Sequence, residues 1–255
     1  MVMSSILVSI ITPVYNSEAY LKDAIDSVVA QTFKNWEMLI VDDGSIDGSW
    51  RLLKSIAKNE KRIILKRLKK NSGAGIARNT AIKAAKGEFI AFLDSDDLWH
   101  PEKLNVQINL MSKNKWLFSH TSYGYISESG EKIKSTFHVS DHLVDYFDLL
   151  KKTEISCLTA VYNQKEIGKY YMSEHRKKQD YALWLSILND GIKSYPINNE
   201  LAYYRQRPDS TTSNKGALII DHLRFLRETQ SINIFRSLYY TIHWMVNGFI
   251  RYYIK

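Results

Sequence analysis

Phe89-Ile90-Ala91-Phe92-Leu93-Asp94-Ser95-Asp96-Asp97 decides how this chain folds. Apolar, β-prone residues run directly into three carboxylates. A short apolar run closed by turn residues fits a buried strand. In an open parallel sheet, the carboxyl ends of such strands face the ligand crevice. Crowded carboxylates there are unfavourable unless a cation or hydrogen-bond donors neutralise them. Two more acidic groups stand in fixed order around this one. Trp36 to Val41 leads into Asp42-Asp43-Gly44-Ser45, and Gln179-Asp180-Tyr181 opens an apolar segment. Each cluster alone also reads as an ordinary turn or helix start. The ordered set points to a site.

Working outward, Ile6 to Thr12 predicts a buried strand closed by Pro13. Asn16-Ser17-Glu18 offers an N-cap to a helix over Ala19 to Gln31. Strands follow at Trp36 to Val41, Ile63 to Leu68 and Phe89 to Leu93, with helices at Ser49 to Asn59 and Ile76 to Lys86 between them. This alternation argues a parallel α/β sheet. Beyond Pro101 the spacing predicts a helix from Glu102 to Lys113 and an exposed-face strand from Trp116 to Ile126. A helix at Tyr146 to Lys152, a strand at Cys157 to Tyr162, a helix at Gln179 to Asn189 and a strand at Leu201 to Arg205 complete it. The chain divides into a nucleotide half (1–100), a second half built onto it (101–215) and a helical tail (216–255).

The 255 residues suffice for a sizeable core, and 4 prolines with 11 glycines exclude a fibrous or disordered chain. The single cysteine, Cys157, forms no internal disulfide and reads as a small buried residue, which fits a reducing cytoplasm. Ser4 to Pro13 is short, lacks a basic leader and reads as a strand rather than a signal peptide. No uncharged run is long enough to span a membrane. A formal charge of +8 favours an anionic partner.

Asp94-x-Asp96 has the spacing to hold a hard divalent cation, Mn²⁺ or Mg²⁺, beside a ribose. No His/Cys cluster suggests zinc. Gly44 and Ser45 form a tight turn whose hydroxyl and neighbouring carboxylates suit a uracil imide or ribose. Asp180 either complements a helix N-terminus or acts as a general base.

Several segments together carry a resemblance. Val8-Ser9-Ile10-Ile11-Thr12-Pro13-Val14-Tyr15-Asn16, Val41-Asp42-Asp43-Gly44-Ser45, Ala77-Arg78-Asn79, Phe92-Leu93-Asp94-Ser95-Asp96-Asp97 and Gln179-Asp180-Tyr181 resemble the family 2 glycosyltransferases. Tyr204-Arg205-Gln206-Arg207 through Ser213-Asn214-Lys215 is similar to the teichuronic-acid and O-antigen branch. The resemblance implies a GT-A fold and an inverting, metal-dependent transfer from a UDP-sugar to a saccharide on a polyprenyl diphosphate. It implies Thr12, Pro13, Tyr15 and Asp43 around uracil, with Asp42 and Arg78 as supports. Asp94 and Ser95 would meet ribose or sugar, Asp96 would hold the metal, and Asp97 is an alternative ligand. Asp180 would be the base, with Gln179 replacing the commoner Glu. Arg205 and Arg207 would meet a diphosphate or form a solvated strand end.

In the tail, Ile232, Phe235, Tyr239, Ile242, Val246, Phe249 and Tyr253 fall on one helical face. Asn233, Arg236, Tyr240, His243, Asn247 and Arg251 fall opposite. Such a helix suits the inner face of an anionic membrane, or else packs on the chain's own core or on a second copy. Competing readings are an NAD-type oxidoreductase, resting on Gly73-Ala74-Gly75, a nucleic-acid binder, or a non-catalytic membrane-surface module.

Overall fold

A computed structural model describes residues 6–173, 177–207 and 215–253. Its strands are β1 (Val8–Val14), β2 (Trp36–Asp42), β3 (Ile63–Arg67), β4 (Phe89–Phe92), β5 (Leu98–Trp99), β6 (Phe118–Ile126), β7 (Lys132–Phe137), β8 (Val161–Asn163) and β9 (Ser194–Arg205). They form one sheet in the order β3-β2-β1-β4-β8-β6-β9-β5, with β7 paired to β6. The first four strands are mutually parallel. β8 runs antiparallel to both β4 and β6, which carries the sheet across into its second half.

The near-continuous apolar character of β1 and β2 follows from cover on both faces. Val8, Ile10, Trp36, Met38 and Ile40 point to one core, under α1 (Leu21–Val29), α2 (Ser49–Asn59) and α4 (Lys103–Asn114). Ile11, Leu39, Val41 and Phe92 point to the other, under α3 (Ala74–Ala84), α5 (Tyr146–Lys151), α7 (Gln179–Asn189) and α8 (Lys215–Thr229). A short α6 (Gln164–Ile167) follows β8, and α9 (Ile234–Tyr253) ends the chain.

Three elements differ from the sequence expectation. β6 is an interior strand, flanked by β8 and β9, although its alternation suggested a solvated face. Its polar residues Ser119, His120, Thr121 and Ser122 are fully buried and hydrogen-bonded, for example Ser119 to Gln107 Nε2 at 2.9 Å and His120 Nδ1 to Ser194 Oγ at 2.7 Å. Cys157 to Tyr162 divides into a 3-10 turn, Cys157–Thr159, and β8. The Thr159 amide and hydroxyl both donate to the Ser156 carbonyl, which closes that turn. The third concerns the start of α1. No side chain caps it, because Asn16 and Glu18 accept the amides of Ile46 and Gly48 instead and lace two loops together.

Gly44, in the turn after β2, lies in the left-handed region at φ +76°, and a Cβ there would lie 2.9 Å from the Lys70 carbonyl carbon. Glycine is required on both counts. Gly44→Ala is expected to destabilise the protein by about 2 kcal/mol, from backbone strain plus overpacking. Urea denaturation measures this, and an unchanged midpoint would show that the turn yields freely.

Candidate active site

In this sheet β1 lies between β2 and β4, so the strand order reverses at the β1/β4 crevice. Ligands bind outside the carboxyl ends of the strands at such a switch point. Here the structure gathers the ends of β1, β2 and β4 with the N-termini of α3 and α7. A Cβ on Gly75 would come within 2.5 Å of the Gln179 amide, so the two helix ends meet only because α3 carries glycine there.

The β2 carboxylates divide their tasks. Asp43 is buried, and its two oxygens accept the backbone N–H groups of Ser72 and Gly73 at 2.8 and 2.7 Å. A carboxylate has about four lone-pair directions, so capacity for a further donor remains. Asp42 is fully buried and ion-paired with Arg67 Nε at 2.9 Å. Thr12 Oγ1 is buried with no hydrogen-bond partner among the described residues, while Tyr15 is exposed. Pro13 lies on β1 opposite Val41. The Ser45 hydroxyl, expected to face a ligand, accepts the Asn16 amide at 3.0 Å and holds two loops together.

At the end of β4 the carboxylates meet arginines. Arg78, buried on α3, donates to Asp94 Oδ1 at 2.5 Å. Burial opposes the Arg78 charge, but the carboxylates of Asp94 and Asp180 more than offset it and hold its pKa above the ordinary value. Asp180 lies in the first turn of α7. Burial raises its pKa and Asp94 adds to the rise, while the Arg78 guanidinium pulls the other way. Burial and the Asp94 charge likewise raise Asp96, which pairs with Arg207 at 2.9 Å. Ser95 is buried and its hydroxyl is 2.7 Å from that of Ser17.

Asp97 and Arg205 face inward. Asp97 Oδ1 accepts the Arg205 amide at 2.9 Å, and burial, with Asp96 and Asp94 nearby, pushes its pKa well up. Arg205 is 2% exposed. Its Nε donates to the Asp96 carbonyl at 2.7 Å and its Nη1 to the carbonyls of Glu128 and Ser127 at 2.5 and 3.3 Å. Backbone carbonyls thus engage its guanidinium and fasten the β6–β7 turn to the acidic loop. Arg207 stays half-exposed, and both guanidiniums lie over the Tyr20 ring. Residues 208–214, which carry part of the resemblance, lie outside the described residues.

The donor set fits a hard cation. Asp94 and Asp96 offer carboxylate oxygens, and their mutual repulsion is what a cation relieves. Among the described residues no group of three His, Cys, Asp or Glu could hold a metal by itself. A cation here needs further oxygens from a substrate, as Mg²⁺ takes them from phosphates. The sequence reading missed Arg67 and Tyr20. Arg67 was within reach, because it ends β3 in register with Asp42 on β2. Tyr20 carries no comparable signal.

A sheet with this order, its acids at the carboxyl edge, has the GT-A fold. Staphylococcus aureus TarS 1–349 with UDP-GlcNAc superposes at a TM-score of 0.71 over 95% of this chain and 72% of that one, at 19% identity. The chain belongs to glycosyl transferase family 2, which matches residues 9–184, and is a glycosyltransferase. It is 37% identical over 242 residues to TuaG of Bacillus subtilis, a glycosyltransferase named for teichuronic acid biosynthesis (95% of this chain, 96% of that one). It is 38% identical over 248 residues to WfgD of Escherichia coli, a UDP-Glc:α-D-GlcNAc-diphosphoundecaprenol β-1,3-glucosyltransferase (96% and 95%). WfaP of the same species bears the same description and is 36% identical over 246 residues (96% and 95%).

Arg205 and Arg207 are expected to separate cleanly. Arg205→Met removes a buried guanidinium with three backbone-carbonyl partners and should lower stability by about 3 kcal/mol. Arg207→Ala, at an exposed pair, should stay within about 0.5 kcal/mol. Urea unfolding of both variants tests this; equal effects would refute the inward role of Arg205.

Proposed function

We propose that this enzyme transfers a hexose, glucose in the first instance, or an N-acetylhexosamine from a UDP-sugar to a saccharide on a polyprenyl diphosphate. The reaction serves the assembly of surface polysaccharide. The observation that carries this reading is Asp180, a carboxylate with raised proton affinity held beside the Arg78–Asp94 pair at the switch point. The descriptions of WfgD and WfaP support the donor and the acceptor class.

Thr12, Pro13, Tyr15 and Asp43 receive the uracil, with Asp42 and Arg78 behind them. Asp94 and Ser95 take the ribose or the sugar, and Arg207 turns from Asp96 to the diphosphate. Asp96, or Asp97 in its place, would hold Mn²⁺ or Mg²⁺, whose positive charge would stabilise the departing UDP. Asp180 takes the proton of the acceptor hydroxyl as its oxygen bonds to the anomeric carbon. The bond to UDP breaks on the opposite face, its electron pair leaves with UDP, and the configuration inverts.

Asp180→Asn should lower kcat by about 10³-fold, the scale of general-base catalysis, while UDP-glucose binding survives. The base works only when deprotonated, so activity is lost as pH falls through its raised pKa. Arg78 depresses that pKa, so Arg78→Met should move the acid limb of the rate profile to higher pH. Turnover of UDP-glucose with a GlcNAc-diphosphate lipid reads both effects. Full activity of Asp180→Asn would refute the base assignment.

We further infer that the tail lies on the cytoplasmic face of an anionic membrane. Of the apolar stripe read in the sequence, Phe235, Tyr239, Ile242, Val246 and Phe249 are exposed, while Ile232 is partly buried against the core. Among the described residues no helix is long and apolar enough to cross a membrane, and an exposed amphipathic helix on a basic chain suits the interface. The triple variant Phe235→Ser/Ile242→Ser/Phe249→Ser should lose about tenfold or more of its partition onto anionic vesicles. Unchanged co-sedimentation, or a dimer in sedimentation that the variant dissolves, would assign the stripe to a second copy instead.

A further inference from the structure

The helix end that carries Asp180 is gripped from two sides. On one side Gly75 lets the α3 backbone meet Gln179. On the other, the C-terminal helices reach Lys178, the residue just before α7. Lys178 Nζ donates to His222 Nδ1 on α8 at 2.7 Å. The same ammonium lies 5.0 Å from the Trp244 ring centre on α9 and 5.7 Å from that of Phe225. His222 is fully buried and stacks on Trp244 at 4.4 Å. Trp244 is itself fixed, since its Nε1 donates to Thr153 Oγ1 at 2.9 Å, and Asn247 one turn on donates to the Lys151 carbonyl at 3.1 Å.

This grip has a definite object. Lys178 adopts the left-handed conformation at φ 56°, uncommon for a residue with a side chain. Its carbonyl accepts the Ala182 amide at 2.9 Å and so begins the hydrogen-bond ladder of α7. No side chain caps that end. Among the described residues no carboxylate pairs with Lys178: Asp221 beside it is engaged with Lys177 at 2.6 Å. A lysine held by a neutral imidazole and two aromatic faces has a narrow choice of position. Burial agrees with this arrangement. It lowers Lys178 to about 8, and with the Lys178 charge it lowers His222 to about 3, so His222 is a neutral acceptor at physiological pH.

We propose that Lys178, held by His222 and Trp244 of the C-terminal helices, is a positioning residue that sets the place of Asp180. The tail is then part of the frame of the active site as well as a means of attachment. The inference rests on the reading of Asp180 as the base.

The test uses the full chain with UDP-glucose and a GlcNAc-diphosphate lipid. Lys178→Met and Trp244→Leu should each lower kcat about tenfold, within the range that small misplacements of a catalytic group produce. KM for UDP-glucose and Kd for UDP should change less than about twofold, because the nucleotide pocket is built from other elements. Amide hydrogen exchange over residues 180–183 should quicken in the same variants. Lys178→Arg and Trp244→Phe, which keep a cation and a ring, should restore most of the rate. Unchanged kcat in Lys178→Met beside an inactive Asp180→Asn would overturn the positioning role alone. UDP affinity falling in step with kcat would also overturn it, as the sign of a general structural loss. Full activity of Asp180→Asn would overturn the base reading and this inference with it.

Discussion

Buried charge at the carboxyl end of β4 is the constraint on which the rest of the site depends. Three carboxylates follow the strand in close succession, and each must be compensated where water is scarce. Asp94 is answered by Arg78 across the crevice, Asp97 by the Arg205 amide, and Asp96 by the half-exposed Arg207. Arg78 reaches Asp94 only because α3 packs tightly on the sheet through Ala77 and Ala81. The alanine-rich sequence of that helix therefore belongs to the electrostatics of the site as much as to its packing.

The carboxylates separate by what surrounds them. Asp43 and Asp97 accept backbone amides and so fix the loop before α3 and the end of β9. Asp94, Asp96 and Asp180 are only partly buried, and the first two are paired with arginine side chains rather than with backbone amides. Arg205 and Arg207 divide the same way, one closed over backbone carbonyls and one turned outward. A buried guanidinium with backbone partners holds a loop; a half-exposed one can change partners when a diphosphate arrives.

The strands of the first half were legible because each is an apolar run ending in a turn signal, and the order of acids located the crevice. The second half was less so. The polar residues of β6 suggested a solvated face, and only the tertiary partners Gln107, Ser194 and Asn198 explain their burial. Local sequence likewise could not say which way a side chain turns from a strand end. Arg205 and Arg207 look alike in sequence, yet Arg205 ends β9 and Arg207 lies beyond it, which gives them different surroundings. The Lys178–His222 contact joins segments 44 residues apart and has no local signal.

The seating of α9 carries the same reasoning to the tail. An amphipathic helix that meets only its own chain turns its apolar face inward, since apolar burial drives the packing. Here Ser237, Thr241 and Trp244 face the protein, and the aromatic and aliphatic stripe faces out. Specific contacts fix this orientation: the Trp244 indole on Thr153, Asn247 on the Lys151 carbonyl, and the ring stack on His222. The sequence thus sets polar, directional contacts against the hydrophobic preference of an isolated helix, and the structure follows the former. Such an arrangement is stable in a setting where the outer face is also covered. The same contacts join α9 to Lys178, the residue before α7, so the seating of the tail and that of the α7 N-terminus form one mechanical unit.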